Sequence, residues 1–184
     1  KYPKKTDLSV EIENIIKKGV IIIDENDILK NNIKLNEEDS VIIRAHGTIK
    51  KIMDILENKK VKMYDAACIF VKKSRKILSD KEKEGFKIIF VGDKFHPEVI
   101  GIVSYGENIK IVSDLEDLEE YTKNTVNEKY FVLAQTTLNK NKYEKIKKFV
   151  KENLKKSEIY DTICGATYER QKAVEKLSNK VELM

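Results

Sequence analysis

The sequence has no long run of apolar residues, no initiating methionine and only two cysteines. Hydrophobic residues make up 41% of the 184 residues, but they occur in short blocks such as Val20–Ile23 and Ile88–Val91. These blocks are far below the roughly 20 residues that a membrane-spanning helix needs, so we expect no transmembrane helix. The first residues also lack the charged-then-apolar layout of a secretory signal. We therefore expect the chain to be a fragment that begins within a longer protein.

Arginine is also scarce, which bears on the choice of partner. Of the 36 basic residues only Arg44, Arg75 and Arg170 are arginine, although the net charge is +5. Nucleic-acid grooves usually combine arginine with aromatic platforms, whereas these lysines alternate with Glu and Asp along predicted helices. The pattern favours a solvated surface over nucleic acid as a partner. A phosphate-binding or RNA-binding α/β domain without a redox role is kept as an alternative.

The low cysteine content bears on the cellular compartment. Chains with few cysteines and no signal peptide usually stay in the reducing cytoplasm, where metal and catalytic roles compete well with disulfides. We predict a cytoplasmic protein in which Cys68 and Cys164 are free thiols.

Short apolar segments alternate with helical patterns, which predicts an α/β fold with parallel sheets. Gly19 and Gly85 stand where helix-ending glycines are expected, and Ser113 with Glu116 is typical of a capping box. The predicted strands lie at about 20–23, 41–44, 61–64, 87–91, 109–112, 130–134 and 158–160.

An internal repeat organises the chain. The sequence VIIRAHGT, a lysine-rich helix and VKMYDAAC parallel YFVLAQTT, a lysine-rich helix and SEIYDTIC. The strands are offset by 89 residues, from Val41 to Tyr130, and the cysteines by 96, from Cys68 to Cys164, so the second copy has seven extra residues in its helix. We predict parts of three α/β units with pseudo-threefold symmetry in the full-length protein, at 1–67, 68–163 and 164–184.

Each cysteine follows a predicted strand and opens a predicted helix. At that position backbone N–H groups and the helix dipole stabilise a thiolate or an anionic cluster. A buried structural cysteine is the competing interpretation, because free cysteine behaves as a small hydrophobic residue. The repeated Asp-x-x-Cys context, from Asp65 to Cys68 and from Asp161 to Cys164, favours a functional role.

The two histidines each lie in a loop after a predicted strand, where open α/β sheets bind ligands. A lone loop histidine is usually a surface residue, but His46 and His96 occupy comparable positions. Imidazoles flanked by loop N–H groups can bind a diphosphate, with charge-assisted bonds of ~1.5 to 3 kcal/mol each. Glu98 could donate a proton to the same cavity or simply favour a helix N-terminus. The hydroxyls of Thr136 and Thr137 could relay a proton or cap the next helix.

The strings AHGT, YDAAC, HPEVIG, AQTTL and DTICGATYERQ occur in this order. Together they resemble the 4-hydroxy-3-methylbut-2-enyl diphosphate reductase family over nearly the whole chain. The resemblance implies a trefoil of three α/β units around a four-iron four-sulfur cluster, which three cysteines hold while one iron stays open. Cys68 and Cys164 match the second and third cysteine ligands, and the first lies outside this chain.

The resemblance also implies roles for other residues. His46 and His96 match histidines that contact the substrate diphosphate, and Glu98 matches the acid that supplies protons. Thr136 and Thr167 match polar residues near the cluster. The implied reaction is reductive dehydroxylation to isopentenyl and dimethylallyl diphosphate, with ferredoxin or flavodoxin as the electron donor. The fragment alone is expected to be inactive because it lacks one cysteine ligand.

Two points stay open at this level. Aligning the first helix by KKGV places Asp7 about where the family has another diphosphate-binding histidine, and an aspartate there would repel phosphate. The alternative metal site is a Cys2His2 zinc centre built from Cys68, Cys164, His46 and His96. The wide separation of these four residues along the chain disfavours a compact structural zinc finger.

Overall fold

The computed structural model describes residues 13–181, so the open question about Asp7 lies outside the described residues. The first half contains a two-stranded parallel sheet in which Ser40 is paired with Lys62 and Ile43 with Asp65. Helices flank these strands as the alternating pattern predicted. The elements are α1 (Glu25–Leu29), β1 (Ser40–Ile43), α2 (Lys50–Asn58) and β2 (Lys62–Asp65).

The second half contains a four-stranded sheet in the order β4-β3-β5-β6, with every pair parallel. The predicted fold class, repeated α/β units with parallel sheets, is therefore confirmed. The elements are α3 (Ile69–Lys83), β3 (Lys87–Val91), α4 (Pro97–Val103), β4 (Ile109–Val112), α5 (Leu115–Thr122), β5 (Tyr130–Ala134), α6 (Lys140–Asn153), β6 (Glu158–Ile159) and α7 (Gly165–Ser178).

One predicted strand is wrong. Residues 20–23 form neither a strand nor a helix, and Ile21 is 80% exposed. Their counterpart in the second copy is β4, which pairs with the central strand β3. The positions equivalent to β3 in the first copy, 89 residues earlier, lie outside the described residues. A strand requires a hydrogen-bonded neighbour, so apolar sequence alone did not make this segment one.

The glycines end helices as predicted, whereas one predicted helix cap is displaced by a residue. Gly19 and Gly85 both end helical segments with positive φ, at 88° and 83°. The expected capping box of Ser113 and Glu116 is wrong by one residue. The N-cap of α5 is Asp114, whose carboxylate accepts the N–H of Asp117. An Asp carboxylate one residue later competed successfully for the free N–H groups of the first turn.

The central strands of the second sheet are buried on both faces. One face packs Ile89 and Val132 against α5 and α6, where Tyr143 lies, and the other packs Phe90 under α3 and α4, where Leu78 lies on α3. A smaller core joins α2 to β1 and β2. Within residues 13–181 no helix is both long and apolar enough to cross a membrane. The unit boundaries before Cys68 and Cys164 stay predictions.

Candidate functional site

The loop after β3 presents a histidine and a glutamate at the start of α4. His96 is the N-cap residue, and its Nδ1 accepts the backbone N–H of Glu98 at 3.2 Å. Pro97 occupies the first helical position, where its missing N–H is no loss. Because Nδ1 acts as an acceptor, a neutral His96 has its proton on Nε2, which is free to donate to a ligand.

Glu98 is buried and bonded to the end of β5. Only 1% of its surface is exposed. The backbone N–H of Thr136 donates to Oε1 at 2.7 Å, and the Thr136 hydroxyl donates to Oε2 at 2.8 Å. These contacts exist because β3 and β5 are parallel neighbours, so the loops after their carboxyl ends meet. The two bonds compensate for the removal of the carboxylate from water.

His46 follows β1 and faces His96 across the junction of the two halves. The ring centroids are 5.8 Å apart and the ring planes lie at 77°. Gly47 has a φ of 76°, which turns the chain sharply after His46. A Cβ added to Gly101 on α4 would be 3.6 Å from the carbonyl oxygens of His46 and Thr48, an ordinary contact distance. Helix α4 therefore packs directly beside the histidine loop.

Each cysteine is the N-cap residue of a long helix, Cys68 of α3 and Cys164 of α7. The backbone N–H of Cys68 donates to the carbonyl of Ala45 at 2.9 Å, next to His46. That of Cys164 donates to the carbonyl of Thr136 at 2.9 Å. Both cysteines are free, with Cys68 exposed and Cys164 half-buried. The backbone therefore ties each cysteine to a loop that bears another candidate residue.

The first turn of α7 stabilises the thiolate form of Cys164. The backbone N–H of Thr167 lowers the pKa of the Cys164 thiol most, and burial opposes this effect. The N–H of Ala166, the Thr167 hydroxyl and the positive charge of Arg170 lower it further. Thr167 thus lies beside Cys164, and the arrangement is the helix N-terminal environment that favours a thiolate.

The aspartates of the two Asp-x-x-Cys motifs have a structural role that the sequence pattern did not assign. Asp65 Oδ1 accepts the N–H of Ala67 at 2.9 Å, and Asp161 Oδ1 accepts the N–H of Ile163 at 3.2 Å. Each carboxylate therefore closes a tight turn just before its cysteine. The sequence offers a signal for these turns, because an Asp side chain often accepts the backbone N–H two residues later.

The described residues bear on the metal hypotheses. Among residues 13–181 no three His, Cys, Asp or Glu side chains are grouped so as to hold a metal ion. The expected alternative of a zinc site from Cys68, Cys164, His46 and His96 therefore has no support. The two free thiols at helix N-termini are chemically suited to an iron–sulfur cluster, whose usual protein ligands are thiolates. The described residues supply no further thiol.

A separate open cleft of about 500 Å³ also lies at the carboxyl ends of β3, β4 and β5. Its lining includes Asp93, Gln135 and Lys142. Gln135 accepts the N–H of Asp93 and donates to Thr137, so its polar groups are used within the protein. Neither histidine nor Glu98 lines this cleft.

The fold and these contacts define an α/β protein whose candidate site lies where strand ends of two repeated halves meet. The chain belongs to the LytB protein family, whose model matches residues 7–184. A relative from Fusobacterium nucleatum, 4-hydroxy-3-methylbut-2-enyl diphosphate reductase, is 45% identical over 173 residues, which are 94% of this chain and 21% of the relative. A protein of the same name from Caldanaerobacter subterraneus is 38% identical over 94% of this chain and 58% of its own length.

Solved structures agree with this assignment. A structure of (E)-4-hydroxy-3-methyl-but-2-enyl diphosphate reductase, described as the terminal enzyme of the non-mevalonate pathway, matches with a TM-score of 0.73 and 32% identity. The match covers 95% of this chain and 60% of that one. The Plasmodium falciparum reductase matches with a TM-score of 0.77 and 31% identity, over 91% of this chain and 52% of its own. The chain thus spans less than two thirds of these relatives.

Proposed function

We propose that the whole protein containing this chain is a cytoplasmic 4-hydroxy-3-methylbut-2-enyl diphosphate reductase with a four-iron four-sulfur cluster. The observation that carries the proposal is the buried Glu98–Thr136 pair beside two facing histidines. The backbone N–H of each cysteine also donates a hydrogen bond to a loop that bears one of these residues. Family membership and the names of the relatives support the same activity. A trefoil of three units is proposed for the whole protein.

The histidines are proposed to hold the diphosphate. With ring centroids 5.8 Å apart, His46 and His96 are spaced so that both can contact one diphosphate. The Nδ1 of His96 already accepts the N–H of Glu98, which leaves Nε2 as the nitrogen that would contact phosphate. Each charge-assisted bond to phosphate contributes about 1.5 to 3 kcal/mol. Thr167 would contribute a hydroxyl on the side of Cys164.

Glu98 and Thr136 are proposed to move protons. The reaction removes the substrate hydroxyl as water and consumes two electrons and two protons, one leaving in the water and one added to carbon. Glu98 is buried, and its Oε2 accepts a hydrogen bond from the Thr136 hydroxyl. A proton on the carboxyl group can pass through that hydroxyl to a bound substrate without release to bulk water.

Cys68 and Cys164 are proposed to ligate the cluster. Bound there, the cluster would supply electrons and an open iron as a Lewis acid for the substrate hydroxyl. At Cys164 the first turn of α7 favours the thiolate that ligation requires. The chain of 184 residues alone has two of the three cysteines and is not expected to hold a stable cluster. A ferredoxin or flavodoxin is proposed as the electron donor.

The test uses the whole protein after anaerobic reconstitution with iron and sulfide. Glu98→Gln is expected to lower kcat about 10²- to 10⁴-fold with the iron content unchanged, because it removes the acid and keeps the shape. Thr136→Val should also lower kcat. Thr137→Val is the matched control, since the Thr137 hydroxyl bonds Gln135 instead. Full turnover by Glu98→Gln, or a stable cluster in Cys68→Ala protein, would count decisively against the assignment.

The RNA-binding alternative has its own test. Several lysines are engaged with acidic neighbours, as Lys147 is with Glu144 and Asp161 at 2.7 and 2.9 Å, which leaves them less available for phosphate. We expect weak RNA binding. A binding constant that falls steeply with salt, together with no reconstitutable iron, would favour the alternative.

A further inference from the structure

Arg75 is buried, whereas Arg44 is exposed. Arg75 lies on α3, two turns after Cys68, and 8% of its side chain is exposed. The side chain of Arg44 is 56% exposed and pairs with Glu25 at the surface. Burying a guanidinium is costly unless other groups compensate for the lost water. The contacts of Arg75 therefore show which groups compensate for its burial.

Those contacts join three separate elements. Nη1 donates to the Tyr105 hydroxyl at 2.9 Å, and the guanidinium lies over the Tyr105 ring with Cζ 5.1 Å from its centroid. Nη2 lies 3.6 Å from Asp65 Oδ2, an ion pair slightly longer than a hydrogen bond. Arg75 thus links α3 to the turn before Cys68 and to the segment that follows α4.

The same guanidinium packs against the histidine loop. A Cβ added to Gly47 would lie 3.2 Å from Nη2 and 3.4 Å from Cζ of Arg75, so the guanidinium occupies the space beside the Gly47 backbone, next to His46. Nε and Nη2 are buried and have no hydrogen-bond partner within residues 13–181. The enclosed charge is therefore held by packing, by Asp65 and by Tyr105.

A second contact fastens the loop to α4. The first N–H of α2, from Lys50, donates to the Ser104 hydroxyl at 2.9 Å, and that hydroxyl donates to the carbonyl of Gly101. The N-cap of α2, Ile49, has no side chain able to cap, so a residue of the other half does so. His46 and His96 thus belong to elements that are joined at Ser104 and Tyr105.

We propose that Arg75 is a positioning residue that fixes the His46 loop against α4, so that both imidazoles can contact one diphosphate. The proposal rests on the proposed function and specifies how the diphosphate site is held together. Arg75 itself does not touch the ligand. It acts through Gly47 and Tyr105.

The test measures binding of inorganic pyrophosphate to the whole reconstituted protein by calorimetry, together with KM and kcat. Arg75→Met is expected to weaken pyrophosphate binding and raise KM about tenfold, with kcat changed less than threefold. Arg75→Lys should show most of the same loss, because lysine keeps the charge but cannot reach Tyr105 and Asp65 with one planar group. Tyr105→Phe should show a smaller loss. Should Arg75→Met not fold, the other two variants decide.

Lys147→Met is the matched control. Lys147 pairs with Asp161 at 2.9 Å as Arg75 does with Asp65, and its removal changes the charge equally. It is expected to leave pyrophosphate affinity unchanged. Wild-type affinity in Arg75→Lys would mean that charge alone matters and would overturn the proposal, as would an equal loss in Lys147→Met.

The two proposals fail in different ways. If the wild-type protein binds pyrophosphate through His46 but does not convert the substrate, the proposed function fails and the positioning role of Arg75 is still measured. If conversion occurs and the Arg75 variants bind pyrophosphate normally, only the positioning role fails. A wild-type protein that neither binds pyrophosphate nor converts the substrate overturns both.

Discussion

Strands β1 and β5 occupy the same place in the repeat but have different surroundings. Ile42 on β1 and Phe131 on β5 are equivalent positions, 89 residues apart. Phe131 is 3% exposed and packs in the core under α3 and α4, whereas Ile42 is 66% exposed. The apolar pattern is the same, but β5 has a strand on each side and a helical layer over that face. Burial is thus a property of the layers around a strand.

The strongest test of this comparison removes both side chains. Phe131→Ala is expected to lower the free energy of unfolding by about 3–5 kcal/mol, because it leaves a cavity in a packed core. Ile42→Ala should change it by less than about 0.5 kcal/mol, as exposed positions usually do. Chemical denaturation of this chain measures both. Equal losses in the two variants would show that β1 is covered in solution.

The next prediction concerns the turn after β1. Gly47 replaces the residue equivalent to Thr136 and has positive φ, as Gly85 does elsewhere. Gly85→Ala is expected to cost about 1–2 kcal/mol for the left-handed backbone alone. Gly47→Ala should cost more, because its Cβ would press on Arg75 at 3.2 Å while the Gly85 site is open. If thermal denaturation gives equal costs, the packing of Arg75 on this loop is refuted.

The smallest effect compares charged and neutral caps of α5. The N–H of Asp117 and the hydroxyl of Ser113 lower the pKa of the Asp114 carboxyl below its unfolded value. Its charge therefore stabilises the fold fully above about pH 3.9, and this contribution is lost as the pH falls through the lower folded pKa. Asp114→Ala should cost about 1 kcal/mol at pH 7.

The control for that prediction is Asp114→Asn, which keeps a capping oxygen but does not titrate. Stability relative to this variant should fall as the medium is acidified below pH 4. A difference between the two proteins that stays constant down to pH 2 would contradict the assigned cap.

The sequence predicted where in the fold most residues of the candidate site lie, for identifiable reasons. Strand-to-helix transitions placed Cys68 and Cys164 at helix N-termini, and strand ends placed His46 and His96 in loops. The strand predicted at residues 20–23 was wrong because a strand also needs a hydrogen-bonded partner strand. The role of Arg75 was missed, although it is one of two arginines that follow a cysteine by about two turns. The pattern does not distinguish it from exposed Arg170, because burial depends on what packs above the helix.

The sequence by itself determined the alternation of strands and helices, the repeat, and which residue types end each strand, since these follow from short-range periodicity and capping. The tertiary structure alone decided that Thr136 bonds Glu98, that His46 faces His96, and that Arg75 is enclosed while Ile42 is open. Strand order brings residues tens of positions apart to the same sheet edge. That order arises from packing of whole layers, which no local pattern specifies.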